Sequence, residues 1–343
     1  MSMEQTVCNL VKQHWNDLHP NSRPPDSFVF FKIASKTSPN AAIIAMLFDA
    51  RNRRPVAVAK IPRNPQFTTG IEREYEAMTD IRNAINDPRI LAHIPYRGVL
   101  TDNDGIKILL QAAGVGHPMV REMTSQKSVE ALYEQILPWM YAFHSHEAEK
   151  CVLEDDILNN FVKAPIENFM AQFGHVSSDI LSSDARQYFS ELPQKVKGQV
   201  VRLCRQHGDF NAHNTLVEYD SGRLYNFTLI DWEDYTTRQL PVHDLNHFFT
   251  SNSHLLGGYM KPEESYLSIL LNDGWYRNLY IKAIEEYETR GLIDKNTFFT
   301  LTPLYMIKMC FCVSDSQRNQ QNTIKTWIKR MNLYINRYLL DAK

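Results

Sequence analysis

A chain of 343 residues exceeds the usual size of one compact domain and has room for two. Its 43% hydrophobic, 11% aromatic and 22% charged residues are those of a folded globular protein, which excludes a disordered chain. The formal net charge of -2 supplies no broad basic field, so nucleic acid is not an expected partner. The five cysteines, Cys8, Cys151, Cys204, Cys310 and Cys312, are too scattered for a disulfide framework or a zinc cluster and read as reduced core thiols.

Met1 to Leu18 mixes Glu4, Lys12 and Asp17 with apolar residues at helical spacing, which predicts a helix and not a signal peptide. After Pro24 and Pro25 come two expected strands, Phe28 to Ala34 and Ala41 to Asp49, joined by the glycine-free turn Ser35 to Asn40. Pro55 to Lys60 is a third strand, ending in lysine, and Ile71 to Ile81 a helix with apolar residues at helical spacing. Tyr96 to Thr101 and Ile106 to Gln111 continue the strands up to a break at Gly114. Val129 to His146 reads as a long amphipathic helix despite Pro138, and it ends in His144 and His146, which are expected to be structural. Glu263 to Leu292 and Thr297 to Leu340 are helical and rich in tyrosine and tryptophan. Phe298 to Val313 is the longest apolar zone, too short and too interrupted to span a bilayer, so a soluble, cytoplasmic protein without a membrane partner is expected. There are no internal repeats.

Between these helical zones lies His207-Gly208-Asp209-Phe210-Asn211-Ala212-His213-Asn214, followed by Leu229-Ile230-Asp231-Trp232-Glu233. Taken singly, Asp209 reads as a turn or cap aspartate and Asp231 as a strand-end cap. Taken together they fit phosphoryl transfer, which needs an oriented hydroxyl, a base for its proton and Mg2+ between the phosphates. Protein kinases carry an Asp and, five residues on, an Asn on one loop, then a second metal-binding Asp downstream, and Asp209, Asn214 and Asp231 have that order. Thr215 to Tyr219 and Leu224 to Ile230 flank the turn Asp220 to Arg223, so a hairpin brings Asn214 opposite the neighbourhood of Leu229 to Asp231. Asn214, Asp231 and Glu233 are then oxygen donors suited to a hard cation.

The two segments resemble the aminoglycoside phosphotransferase and choline kinase superfamily, the small-molecule relatives of protein kinases, in which His-Gly-Asp replaces His-Arg-Asp. The resemblance implies an α+β, bilobal, protein kinase-like fold: a small β-rich nucleotide-binding lobe with an extra N-terminal helix over residues 1–113, and a larger helical catalytic and acceptor-binding lobe over residues 114–343. It implies an ATP- and Mg2+-dependent kinase with Asp209 as base, and His207 and Asp244, from the similar segment Pro241 to Phe249, bracing the loop. Lys60, in a strand similar to Val-Ala-Ile-Lys, would hold the phosphates, and Glu74 would position it, with Glu72 or Glu76 taking that place if the register slips. Ser35, Thr37 and Ser38 would offer hydroxyls to the phosphates where a glycine-rich loop is lacking, and backbone groups at Gln111 to Ala113 would contact adenine.

The acceptor is a small-molecule hydroxyl compound, and its class stays open. Glu154, Asp155 and Asp156 suit a polycationic aminoglycoside, Trp275, Tyr276, Tyr280 and Tyr287 suit a quaternary ammonium, and a neutral sugar leaves no signature. The rival from another class is a nucleotide-binding pseudokinase or scaffold. The sequence leaves monomer and dimer equally open.

Overall fold

The computed structural model describes residues 2–33, 42–51, 54–95, 98–103, 105–177, 180–220, 223–258, 260–314 and 320–340. In chain order the elements are α1 (Met3–Gln13), α2 (Trp15–Leu18), β1 (Phe28–Ile33), β2 (Ala42–Asp49), β3 (Pro55–Pro62), α3 (Thr69–Ala84), α4 (Pro88–Leu91), β4 (Val99–Asn103), β5 (Ile106–Ala112) and β6 (His117–Pro118). Then follow α5 (Gln126–Ser145), β7 (Glu149–Val152), α6 (Asp155–Leu158), α7 (Ala164–Ser177), α8 (Ser183–Val196), β8 (Val200–Gln206), β9 (Thr215–Asp220), β10 (Arg223–Leu229) and β11 (Thr236–Gln239). The chain closes with α9 (His243–Leu256), α10 (Pro262–Ser265), α11 (Trp275–Thr289), α12 (Lys295–Ser314) and α13 (Gln320–Tyr334). None of the described helices is long and apolar enough to cross a membrane.

The chain divides into two compact units, Met1–Arg121 with His207–Asp209 and His213–Tyr235, and Glu122–Gln206 with Phe210–Ala212 and Thr236–Lys343. The division departs from a single cut after residue 113, for a reason visible in the pairing. Strand β6 pairs with β9 in a separate three-stranded sheet, and the Leu229 amide donates to the His93 carbonyl at 2.8 Å, so the hairpin belongs with the N-terminal unit.

In the first unit a five-stranded antiparallel sheet has the order β1-β2-β3-β5-β4. Helix α1 begins with the Ser2 side chain accepting from the Gln5 amide, which satisfies one of the four unpaired donors of a first turn. Val7, Val11, Trp15 and Leu18 face one way at helical spacing and pack on Ala45, Leu47, Ala57, Ala59, Ile61, Ile108 and Leu110. Residues of β3 alternate across the sheet, so Ala57, Ala59 and Ile61 enter this core while Lys60 stands on the opposite face. That face meets a second cluster, in which Ile71 and Met78 of α3 pack with Leu109.

Hairpin β9–β10 pairs Thr215 with Leu229, and near its far end a bulge between Leu224 and Asn226 shifts the register by one residue. The Ile230 amide then donates to the Asn214 carbonyl at 2.9 Å, so Asn214 and Asp231 leave the hairpin at the same end.

The second unit is mainly helical around an aromatic core. Tyr133 of α5, Phe248 and Phe249 of α9, and Tyr276 and Tyr280 of α11 are all buried, with ring centroids of neighbouring pairs about 4.7 to 6.0 Å apart. Helix α5 starts at a capping box between Ser125 and Ser128 and runs through Pro138 without ending.

Candidate active site

The segment His207 to Asn214 follows strand β8 and precedes β9. Gly208 has φ +90, and a Cβ there would run into the carbonyl of Asp234. Glycine is therefore required between His207 and Asp209 by backbone geometry and by space. Gly208→Ala is expected to cost at least about 1–3 kcal/mol from the conformation alone and to abolish turnover. Chemical denaturation followed beside an activity assay checks both.

The two nitrogens of His207 have distinct duties. Nε2 lies 3.0 Å from the Ile230 carbonyl and Nδ1 receives the Asp209 amide at 3.3 Å, so Nε2 donates and Nδ1 accepts. The ring thereby ties the backbone of Asp209 to the residue before Asp231. The buried Trp232 indole lies beside it, with ring centroids 4.3 Å apart and its own N–H on the Leu229 carbonyl at 3.0 Å. Asn214 Nδ2 donates to the Asp209 backbone carbonyl at 2.9 Å and to its carboxylate at 2.7 Å. This fixes the Asp209 carboxylate against Asn214. Asp231 itself has φ +69, a left-handed conformation that aspartate tolerates better than most residues.

Lys60 connects this end of the hairpin to α3. Its Nζ is 2.5 Å from Glu74 Oε2 and 2.8 Å from Asp231 Oδ1. Burial by itself would lower the Lys60 pKa, but the Glu74 and Asp231 carboxylates outweigh it and hold the ammonium above its ordinary value. Of the three candidate glutamates it is Glu74 that meets Lys60, whereas Glu72 accepts from Lys107 and from Thr68 and Glu76 is exposed.

Glu74 is only 2% exposed, and its second oxygen accepts from Gln111 Nε2 at 2.9 Å. The Gln111 side chain thus braces the ion pair. The Ala113 amide donates to the Val56 carbonyl at 3.1 Å, so an adenine contact through that N–H would first have to break a sheet bond. Ser35, Thr37 and Ser38 lie outside the described residues.

Glu233 rests against the start of α3, where a Cβ on Gly70 would stand 2.7 Å from its Oε2. Desolvation and the nearby Asp231 charge, countered by Lys60, push its carboxyl up to about 7. Farther along this segment the Tyr235 hydroxyl donates to Asp80 of α3 at 2.6 Å.

Asp244 belongs to the second unit. It is 1% exposed and accepts from His144 Nε2 at 3.1 Å, while His144 Nδ1 receives the Tyr287 hydroxyl at 2.6 Å. The Asp244 amide donates to Gln206 Oε1 at 3.1 Å, and Gln206 Nε2 to the Leu240 carbonyl at 2.7 Å. Asp244 therefore anchors the residue that immediately precedes His207. Gln206 carried no sequence signal of its own.

The aromatic-cage expectation does not survive. Tyr276, Tyr280 and Tyr287 are core residues with hydroxyls on the Phe249 carbonyl, Asn246 and His144, so they form no open aromatic cage. Glu154 to Asp156 are exposed at the start of α6, as a solvated helix start would be.

A family model described as the phosphotransferase enzyme family matches residues 47–263, well over half of the chain. The chain belongs to this family. Three solved structures illustrate the fold that this phosphotransferase shares. The GDP and kanamycin complex of APH(2")-IIia aligns with TM-score 0.52 at 13% identity, over 98% of this chain and 100% of that one. The GDP complex of wild-type aminoglycoside 2'-phosphotransferase-IIIa aligns with TM-score 0.52 at 12% identity, over 95% and 99%. Macrolide 2'-phosphotransferase MphH from Brachybacterium faecium, as apoenzyme, aligns with TM-score 0.50 at 12% identity, over 94% and 98%. No curated protein matches the sequence significantly. The fold of this phosphotransferase is protein kinase-like, with a sheet-rich N-terminal part and a mainly helical C-terminal part.

Proposed function

We propose that this phosphotransferase moves the γ-phosphoryl group of ATP to a hydroxyl of a small molecule, with Asp209 as the base. The observation that carries the reading is the Asp209–Asn214 pair held in the same unit as Lys60, Glu74 and Asp231. In the reaction the Asp209 carboxylate accepts the hydroxyl proton as that oxygen attacks the γ-phosphorus, and ADP leaves. Two Nζ protons of Lys60 go to carboxylates, and the third would serve a phosphate oxygen of the bound nucleotide. Glu74 and Gln111 keep that ammonium in place.

Among the described residues no three His, Cys, Asp or Glu side chains converge as a ready-made metal cage. Mg2+ is usually held by one or two protein oxygens with phosphate oxygens and water completing its shell, a donor set that Asn214 and Asp231 fit, with Glu233 beside them. Bound there, Mg2+ would neutralise charge between the phosphates.

The deciding experiment is ADP or GDP release from the Mg-nucleotide with kanamycin, a macrolide, choline, glucosamine and neutral polyols as acceptors. The nucleotide is varied because two of the structural neighbours are GDP complexes. Acceptor-stimulated release that Asp209→Ala abolishes supports the reading. Mg-nucleotide binding with no release for any acceptor or for water sinks it in favour of a binding protein.

The raised carboxyl of Glu233 adds a pH signature. Near and below pH 7 the group carries a proton that a cation must displace, so Mg2+ affinity in the presence of ADP should weaken as pH falls from 8 to 6. Glu233→Gln should flatten that difference, the ionisation of ADP itself being common to both proteins.

A further inference from the structure

The middle of the catalytic loop is held by a buried chain of hydrogen bonds within the second unit. The Ala212 amide donates to Asn252 Oδ1 at 3.2 Å, and Asn252 Nδ2 donates to the Tyr133 hydroxyl oxygen at 2.9 Å. The Tyr133 and Tyr276 hydroxyls are 2.8 Å apart, and the Tyr276 hydroxyl donates to the Phe249 carbonyl at 3.1 Å. A phenol has one proton, so with that of Tyr276 committed to Phe249, Tyr133 must be the donor in the tyrosine pair. The chain therefore runs in one direction from Ala212 to Phe249, and no step of it can reverse without leaving another group unpaired. Burial holds both phenols above their ordinary range, so each keeps the proton it donates.

We infer that Asn252 is a positioning residue for the reaction: by accepting from Ala212 it fixes the loop midway between Asp209 and Asn214. Ala212 and Asn252 are 0% exposed, so no water replaces the bond if the side chain is lost. The neighbouring Phe210 is clamped between Trp139 and Phe248, with centroids 6.1 and 4.9 Å away, which holds the loop's position but not the direction of its amides. Asn252 supplies that direction. It stands on α9, one turn short of the end of the helix that begins with His243 and Asp244, so one rigid element holds both Gln206 before the loop and Ala212 within it. The inference rests on the proposed role of Asp209.

The test compares Asn252→Ala and Tyr133→Phe with the unmodified protein by two measurements. Amide hydrogen exchange is followed for the peptide covering residues 208–214, and ADP release from Mg-ATP is followed with water as the acceptor. We expect Asn252→Ala to speed exchange in that peptide selectively and to lower kcat about 30- to 100-fold, the scale of a small misplacement of a catalytic group, with KM for ATP nearly unchanged. Tyr133→Phe, which keeps the ring and removes one acceptor oxygen, should act in the same direction to a smaller extent. It carries the test alone if Asn252→Ala does not fold. In an Asp209→Ala background Asn252→Ala should add almost nothing, because no base remains to be positioned. A merely structural role would instead lower the folded fraction and leave kcat per folded molecule intact. That result, or unchanged exchange in the loop, overturns the inference. If Asp209→Ala leaves ADP release unaltered, it is the Asp209 reading that fails, and the exchange experiment still decides whether Asn252 holds the loop.

Discussion

Asp209→Ala should lower turnover by roughly three or more orders of magnitude while leaving Mg-nucleotide binding nearly intact. In the proposed reaction the carboxylate meets the acceptor hydroxyl and not the nucleotide, so its loss should act on the transition state and spare the ground state. Removing it also strips Asn214 Nδ2 of one partner, but the bond to the Asp209 backbone carbonyl survives the substitution. The loop should therefore stay close to its original path. The measurement pairs kcat with nucleotide-induced thermal stabilisation. An Asp209→Ala protein that kept even a tenth of its activity would show that another group takes the proton.

Lys60→Met is the second large effect, and it appears in stability as well as in catalysis. The Lys60 ammonium bridges Glu74, whose side chain is 2% exposed, and Asp231, whose side chain is 39% exposed. Water can re-solvate Asp231 but not Glu74, so nearly all of the penalty falls on Glu74. An uncompensated buried carboxylate costs about 3–5 kcal/mol. The pair Lys60→Met with Glu74→Gln should recover much of this, since the amide has no charge to strand. Nucleotide-induced stabilisation should be lost in both. Equilibrium denaturation of the single and double variants checks the first expectation, and a double variant as unstable as Lys60→Met would refute it.

The legible part of this molecule is the part built on short chemical spacing. Asn214 and Asp231 could be set at one end of a hairpin from sequence because a two-stranded hairpin has a fixed register and its turn is marked by Asp220 to Arg223. The Lys60 strand and the Glu74 helix were legible from residue periodicity, and only the three-dimensional register separates Glu74 from Glu72 and Glu76. What stayed hidden depends on which residue stands opposite which across distant elements. The Ala113 amide looked available for a nucleobase until the pairing of β3 with β5 placed it on Val56. Asn252 and Gln206 are buried polar residues with partners 34 to 119 positions away, beyond the reach of any local pattern. One general sign was present. Helix α9 buries Asp244, Asn246, His247, Thr250, Asn252 and Ser253, and a helix that is polar yet enclosed has hydrogen bonds to satisfy.

The bulge in β10 bears on which length changes the chain can absorb. It lies toward the turn, and every pair on the ligand side of it, from Asn226 with Glu218 to Leu229 with Thr215, is in regular register. A residue gained or lost between Leu224 and Asn226, or in the turn, is taken up locally as a larger or smaller irregularity. A residue gained or lost between Phe227 and Ile230 has no such buffer, and it turns Asp231 to the other face of the hairpin. A length change should therefore be tolerated at the turn end of this hairpin and not at the end that carries Asn214 and Asp231, so the number of residues between those two can differ while their separation in space is kept.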